Sequence, residues 1–229
     1  MALISVIIPA LNEAKQIGSC LDQFADQLGD WELLVVDGGS RDDTAALAEA
    51  HGAKVIQIHG GRGPQMNAGA AAAEGWILLF LHADARLPPH ASRLIHRILA
   101  WPGTAAGAFR IRHQPDRWAG TWKASLLKLA DLRSRYTHRP YGDQGLFLAK
   151  ATFEAVGGFP PRPLMEDLAM ARRLVKVGRI HTVREAVRTS GRRFESAPIR
   201  AFICMNTFPA LDRLGVSPER LKRWYGQPR

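Results

Sequence analysis

The feature that most constrains the fold is a rhythm. Through the first hundred residues, short runs rich in β-branched side chains alternate with helical patterns. Leu3–Ile8 (LISVII) reads as a buried strand closed by Pro9. Ile17, Leu21, Phe24 and Leu28, spaced four, three and four apart, predict a helix with one apolar stripe. Leu33–Val36 reads as a second strand, after which Asp42 and Asp43 open an alanine-rich helix by capping its free N–H groups. Val55–Ile58 is the third predicted strand. Gly60, Gly61 and Gly63 then break the chain before a helix near Gln65–Glu74, and Trp76–Leu81 is the fourth strand. Units in this order imply parallel strands joined by right-handed crossovers, an α/β fold of Rossmann-like type with helices on both faces of the sheet. Further on the pattern becomes mixed: a strand at Ala105–Ile111, a helix marked by Trp118, Trp122, Leu126 and Leu129, and a strand at Gly145–Ala149. A helix at Asp167–Val177 follows, then a helical segment, Ile199–Leu214, disturbed by Pro209.

With 46% hydrophobic and 23% charged residues the chain can bury a real core, which excludes a disordered protein. Cys20 and Cys204 lie far apart and outside any metal-ligand pattern, so no disulfide framework is expected and a reducing cytoplasm fits. No basic leader precedes Leu3. The longest strongly apolar run, Trp76–Leu81, falls far short of the ~20 residues of a membrane-spanning helix. A soluble or at most peripheral protein is expected. The net charge of +10 is uneven: residues 1–100 carry −4 and residues 101–229 carry +14. The basic half implies either an anionic partner, such as a lipid surface or a phosphorylated acceptor, or a solvated surface. No nucleic-acid-binding motif accompanies the charge, so nucleic acid is not an expected partner.

In open parallel sheets, ligands bind beyond the carboxyl ends of the strands. Three polar clusters fall there: Asn12-Glu13 after the first strand, Asp37 after the second, and His82-Ala83-Asp84 after the fourth. One acidic residue at such a place is an ordinary turn former. Three converging on one sheet edge point to a nucleotide pocket. It is not a dinucleotide site, because Pro-Ala-Leu-Asn-Glu stands where G-x-G-x-x-G would be, and the G-x-x-x-x-G-K-[ST] phosphate loop is absent.

The segments VIIPALNE (6–13), VVDGGSRDDT (35–44), GPQMNAGAAAAEG (63–75) and FLHADA (80–85) resemble the successive signatures of family-2 glycosyltransferases of the GT-A fold. YGDQGLFLAKATFEAVGGFP (141–160) and MEDLAMARRL (165–174) resemble the acceptor half of that family. The resemblance covers residues 3 to about 194 and implies a single catalytic domain over 1–229. Residues 1–100 would form the nucleotide-binding half, 101–195 a mixed acceptor-binding half and 196–229 a C-terminal helical segment. It also implies transfer of a sugar from a UDP- or GDP-linked donor, with inversion and metal dependence. Pro9, Ala10 and Glu13 would line the nucleoside site, Asp37 would accept a hydrogen bond from the base, and Arg62 and Asn67 would close over the nucleotide.

His82-Ala83-Asp84 occupies the place of the family's D-x-D metal motif with histidine for the first aspartate. Asp84 is then the expected ligand for Mg²⁺ or Mn²⁺, and His82 either ligates a softer ion or bonds to phosphate. Glu166-Asp167 matches the family's acidic pair, whose aspartate is the base; a helix N-terminus would also favour two acids. Gly142-Asp143-Gln144-Gly145 stands where members contact acceptor or donor. Arg192-Arg193-Phe194 replaces the Q-x-x-R-W of processive members, so single transfers are expected. The motifs leave the acceptor unidentified; the basic half would suit an anionic or lipid-linked one, met by a cytoplasmic protein in peripheral contact with the inner face of the membrane. The rival readings are a nucleotidyltransferase and a non-catalytic nucleotide-sugar-binding protein.

Overall fold

The structure is a computed structural model that describes residues 3–114, 131, 140, 142–190 and 198–225. Its strands are β1 (Ile4–Ala10), β2 (Trp31–Asp37), β3 (Lys54–Gln57), β4 (Ile77–Phe80), β5 (Ala85–Arg86), β6 (Thr104–Gln114), β7 (Leu146–Ala149) and β8 (Arg179–Ser190). Its helices are α1 (Ala14–Asp22), α2 (Thr44–Ala50), α3 (Arg62–Ala72), α4 (Ala91–Leu99), α5 (Lys150–Ala155), α6 (Glu166–Leu174), α7 (Pro198–Arg213) and α8 (Pro218–Tyr225), with a 3₁₀ turn at Gly142–Gln144.

The strands form one sheet in the order β3-β2-β1-β4-β7-β6-β8-β5. The β3-β2-β1-β4 half is parallel, as the strand–helix rhythm requires. β7 runs antiparallel to both β4 and β6, while β6 and β8 pair in parallel. The expected mixed second half is therefore present.

Alternation along the strands supplies two cores. Ile4, Val6, Ile8, Val35 and Leu79 face one side, where Ile17 and Leu21 of α1, Ala48 of α2 and Ile95 and Ile98 of α4 cover them. Ile7, Leu34, Val36, Leu78 and Phe80 face the other, under Met66 and Ala70 of α3, Phe153 of α5 and Met170 and Leu174 of α6. Strands buried on both faces read as continuous apolar runs, which is why β1, β2 and β4 stand out in the sequence.

Three expectations need correction. α1 ends at Asp22, so Leu28 lies beyond the stripe and is 76% exposed, while Phe24 turns back onto Trp31 with ring centroids 5.2 Å apart. β4 starts at Ile77, leaving Trp76 exposed. α3 starts three residues earlier than expected, at Arg62, directly after Gly60 and Gly61, both at positive φ. The helix expected around Trp118–Leu129 and the Arg192-Arg193-Phe194 segment lie outside the described residues. α7 continues through Pro209, which lacks the N–H for the ladder and crowds the carbonyl four residues earlier.

Candidate active site

The loops after β1 and β2 are hydrogen-bonded to each other. Gly38 N–H donates to the Ala10 carbonyl at 2.8 Å. Asn12, at a left-handed φ of 55°, donates its N–H to Ser40 Oγ at 2.8 Å and accepts Arg41 N–H on Oδ1 at 2.9 Å. Glu13 N–H donates to Thr44 Oγ1 at 2.8 Å, and Ala14 N–H to Asp42 Oδ2 at 3.2 Å. The Thr44 hydroxyl, with the Ala14 and Thr44 N–H groups, holds the Asp42 carboxyl below its usual range. Asp37 is only 2% exposed; its Oδ2 accepts the Gly39 and Ser40 N–H groups at 3.0 Å each, and Oδ1 accepts Ser40 Oγ–H. In this geometry Asp37 shapes the loop. Pro9 is partly buried and Ala10 fully so at the adjacent strand end. From α3, buried Gln65 donates to the carbonyls of Ala10 at 3.0 Å and Val36 at 2.7 Å, joining both strand ends.

The turn after β4 is held from behind by α1 and its C-cap residue, Gln23. Ala85 N–H donates to the His82 carbonyl at 3.0 Å, and Gln23 Nε2 donates to the Ala85 carbonyl at 3.1 Å. Cys20 Sγ lies 3.6 Å from the His82 carbonyl; burial pushes its thiol up to about 12, so it stays a neutral packing group. Asp84 Oδ1 accepts Thr189 Oγ1–H at 3.2 Å. Thr189 pairs in register with Ala85 on one side and His113 on the other. His113 Nδ1 sits 2.6 Å from Asp131 Oδ1, so a His–carboxylate pair stands on the strand position beside Thr189.

A third group comes from α6. Met165, at a left-handed φ of 64°, turns the chain into the helix, and Glu166 and Asp167 occupy its first turn. Gly142 N–H donates to Asp167 Oδ2 at 2.6 Å and Leu168 N–H to Oδ1 at 2.7 Å. Burial, and after it the Glu166 charge, raise the Asp167 carboxyl to about 6, against the opposing pull of Arg62 and the two N–H groups. Arg62 joins the clusters: its guanidinium bonds to His82 Nε2, and its Nε lies 3.5 Å from Glu166 Oε1. A Cβ on Gly142 would lie 2.7 Å from Arg62 Nη2, 3.3 Å from Asp167 Oδ2 and 3.5 Å from His82 Nε2. These groups thus meet around one bare backbone position.

Of the residues singled out from sequence, Arg62, His82, Glu166 and Asp167 converge. Asp84 sits two residues from His82 on the same turn, and Glu13 lies on the neighbouring β1 loop. Asn67 is placed differently: its amide bonds to both the N–H and the carbonyl of Phe159 at 2.9 Å, clamping α3 to the segment ahead of α6. Thr189 was not foreseen. β8 alternates charged and apolar residues with no turn signal, and only its pairing reveals it.

No group of three or more His, Cys, Asp and Glu side chains among the described residues could hold a metal ion alone. The donor chemistry still fits one. Mg²⁺-type ions commonly use one or two protein carboxylates and take their remaining oxygens from substrate phosphates and water, and Asp84 supplies such a carboxylate. His82 could ligate only after Arg62 turned away, because a cation and a guanidinium cannot share Nε2.

The family model described as Glycosyl transferase family 2 matches residues 5–157. The chain belongs to glycosyl transferase family 2. This family-2 chain is 33% identical over 172 residues to a PGL/p-HBAD biosynthesis glycosyltransferase of Mycobacterium tuberculosis, covering 69% of this chain and 63% of that one. It therefore spans less than two thirds of that relative's length. Among solved structures, it is similar to the mannosyltransferase PcManGT from Pyrobaculum calidifontis, in complex with GDP-Man and Mn²⁺: TM-score 0.68 and 19% identity over 97% of this chain and 67% of that chain. Glucosyl-3-phosphoglycerate synthase from Mycobacterium tuberculosis, in complex with Mn²⁺, UDP and glucosyl-3-phosphoglycerate, gives a TM-score of 0.62 and 21% identity over 94% and 81%. At such identities the likeness speaks to fold, and the fold of this family-2 chain is that of GT-A glycosyltransferases.

Proposed function

We propose that the chain transfers a sugar from a UDP- or GDP-linked donor to an acceptor hydroxyl, with inversion, using a divalent cation held by Asp84. The observation that carries the reading is the convergence at Gly142 of Arg62 from α3, His82 from the β4 edge and Asp167 from the acceptor half. Asp167 takes the hydroxyl proton as the new C–O bond forms. Each of its oxygens accepts one backbone N–H and retains a second lone pair for that proton. Glu166, paired with Arg62, stands beside Asp167 and raises its basicity. Arg62, at that convergence, places a cation for the diphosphate that leaves as its bond to the sugar breaks. When bound, Mg²⁺ or Mn²⁺ would add Lewis-acid stabilisation of that leaving group. Glu13, Pro9, Ala10 and Asp37 bound the nucleoside side of the same edge, and Asn67 ties α3, which carries Arg62, to Phe159.

The direct test is a thermal-shift panel of nucleoside diphosphates and their sugars with Mn²⁺. A ligand at 100 times its Kd stabilises the fold by about 2.7 kcal/mol, a rise of roughly 5–10 °C for a domain of this size. No shift with any UDP or GDP compound would defeat the proposal. The rival reading, a non-catalytic nucleotide-sugar binder, draws on His82 replacing the metal-motif aspartate. It predicts the same shifts without donor cleavage.

We further propose a cytoplasmic protein whose acceptor is anionic or lipid-linked, met at an anionic membrane surface. Cys20 and Cys204 are both buried and outside any disulfide, in keeping with a reducing compartment. No helix among the described residues is long and apolar enough to cross a membrane. Phe208 and Leu221 pack inward with Leu211, which removes them from any lipid contact. Ile203, Leu214 and Trp224 remain 52%, 81% and 50% exposed, beside exposed Arg213, Arg220, Lys222 and Arg223. At ~1 kcal/mol per basic side chain near an anionic surface, three or four give reversible attachment. Co-flotation with anionic liposomes should weaken with salt and be lost when Arg220, Lys222 and Arg223 become serine. Intact protein that stays soluble at low salt would rule out a lipid-surface acceptor.

A further inference from the structure

The structure assigns a positioning role to the C-terminal hairpin of α7 and α8: it holds in place the Leu164–Asp167 turn that presents the Asp167 carboxylate. This inference rests on the proposal that Asp167 is the base.

The turn needs holding. Met165 is a non-glycine residue at φ 64°, and the helix it opens has no side-chain cap. A left-handed bulky residue persists only where its surroundings over-determine it. Two features of the hairpin do so. The first is Asp212 of α7, whose side chain is 1% exposed. Its Oδ1 accepts Arg162 Nη2 at 2.8 Å, and its Oδ2 accepts from Arg172. Arg162 lies just before the turn and Arg172 on α6 after it, so one buried carboxylate grips the chain on both sides of Met165. Fork-shaped donors fix that geometry as well as the charge. The second is an apolar cluster of Cys204, Phe208 and fully buried Leu221, against which Leu164 and Met165 themselves pack, with Leu211, Val216 and Tyr225. A hairpin that merely covered core surface would not need to meet the two residues directly ahead of Glu166.

The flanks of the segment are fixed from elsewhere. Asn67 of α3 clamps Phe159, and Arg173 Nη1 donates to the carbonyls of Val156, Gly157 and Gly158 beyond α5, at 3.3, 3.0 and 2.8 Å. Between these anchors it is the hairpin that sets the turn, and with it the Asp167 carboxylate beneath the Gly142 amide.

The test uses the full chain carrying Asp212→Asn, Leu221→Ala or Asp212→Glu. Hydrogen exchange is followed at the Gly142 and Leu168 amides, both donors to Asp167, with β1 and β4 amides as the reference. Asp212→Asn and Leu221→Ala should speed exchange at the two reporter amides by about tenfold or more while the strands keep their protection. Asp212→Glu, which retains the charge, should recover part of the protection. With UDP-glucose or GDP-mannose and Mn²⁺, kcat for donor cleavage should fall by about 10- to 100-fold with KM nearly unchanged, the mark of a misplaced reacting group. Wild-type exchange at Gly142 and Leu168 in a variant that merely melts earlier overturns the inference, as does a matching loss of protection in β1. Faster exchange with unchanged cleavage would uphold the positioning and instead remove Asp167 from the base role.

Discussion

Asp167→Asn should lower turnover by roughly 10²–10⁴-fold while nucleotide affinity stays nearly unchanged. The amide side chain can still accept the Gly142 or Leu168 N–H, so the turn around α6 survives. What is lost is the ability to take a proton. Glu166→Gln should do less, since Glu166 acts through its charge and its pair with Arg62. A pH profile adds an independent check. With the Asp167 carboxyl raised to about 6, cleavage by the wild type should fall as pH drops through about 6, as the base becomes protonated. The stability consequence has the opposite sense from that of a salt-bridged aspartate. Because the folded carboxyl binds its proton more tightly than the unfolded one, ionising it destabilises the fold, and the loss grows as pH rises from the ordinary carboxylate range through about 6. Asp167→Asn removes this pH-dependent loss together with one of the two N–H bonds, so its melting temperature should change less between about pH 4 and about pH 7 than the wild type's while it is far slower. A variant with full activity and no change in pH profile would remove Asp167 from the chemistry.

Asp84→Ala should abolish the metal dependence of nucleotide binding and weaken that binding by at least about 10²-fold, since loss of even an outer-shell partner of a metal typically costs 10- to 100-fold. Asp84 is the one carboxylate on the turn that follows β4, and Thr189 orients it. Truncation leaves the Thr189 hydroxyl without this acceptor, so Asp84→Asn is the sharper companion. It retains the hydrogen bond and removes the charge, and it should lose metal dependence almost as fully. Unchanged metal-dependent binding of UDP or GDP by Asp84→Ala, followed by calorimetry, would refute the assignment.

The parallel half of the fold was legible because buried strands leave continuous apolar runs, and β1, β2 and β4 do so. The polar strand ends were legible for a related reason. Asn12-Glu13, Asp37 and His82-Ala83-Asp84 interrupt apolar runs at places where only an edge or a loop can accept them. Their individual roles were less accessible, because a hydrogen-bond partner is a three-dimensional fact. Nothing in the sequence says that the Asn67 amide faces Phe159, or that the Asp37 carboxylate is engaged by Gly39 and Ser40. The second half was read least well. β8 carries Arg184, Glu185 and Arg188 among its apolar residues, and its place between β6 and β5 follows from long-range pairing that no local pattern encodes. The C-terminal helices are ambiguous in sequence for another reason: apolar residues among basic ones suit either a lipid surface or packing onto the fold, and only the structure shows Phe208 and Leu221 turned towards Leu164 and Met165.

The central claim is that this family-2 chain cleaves a nucleotide sugar with a metal-assisted site and a carboxylate base. The most direct measurement is the initial rate of nucleoside-diphosphate release from UDP- and GDP-sugars, with Mn²⁺ and with excess chelator, for the wild type and Asp167→Asn. The account predicts release from one of these donors that requires the metal and falls by roughly 10²–10⁴-fold in the variant. Release indifferent to both the chelator and Asp167→Asn, or tight binding with no release at all, would contradict it.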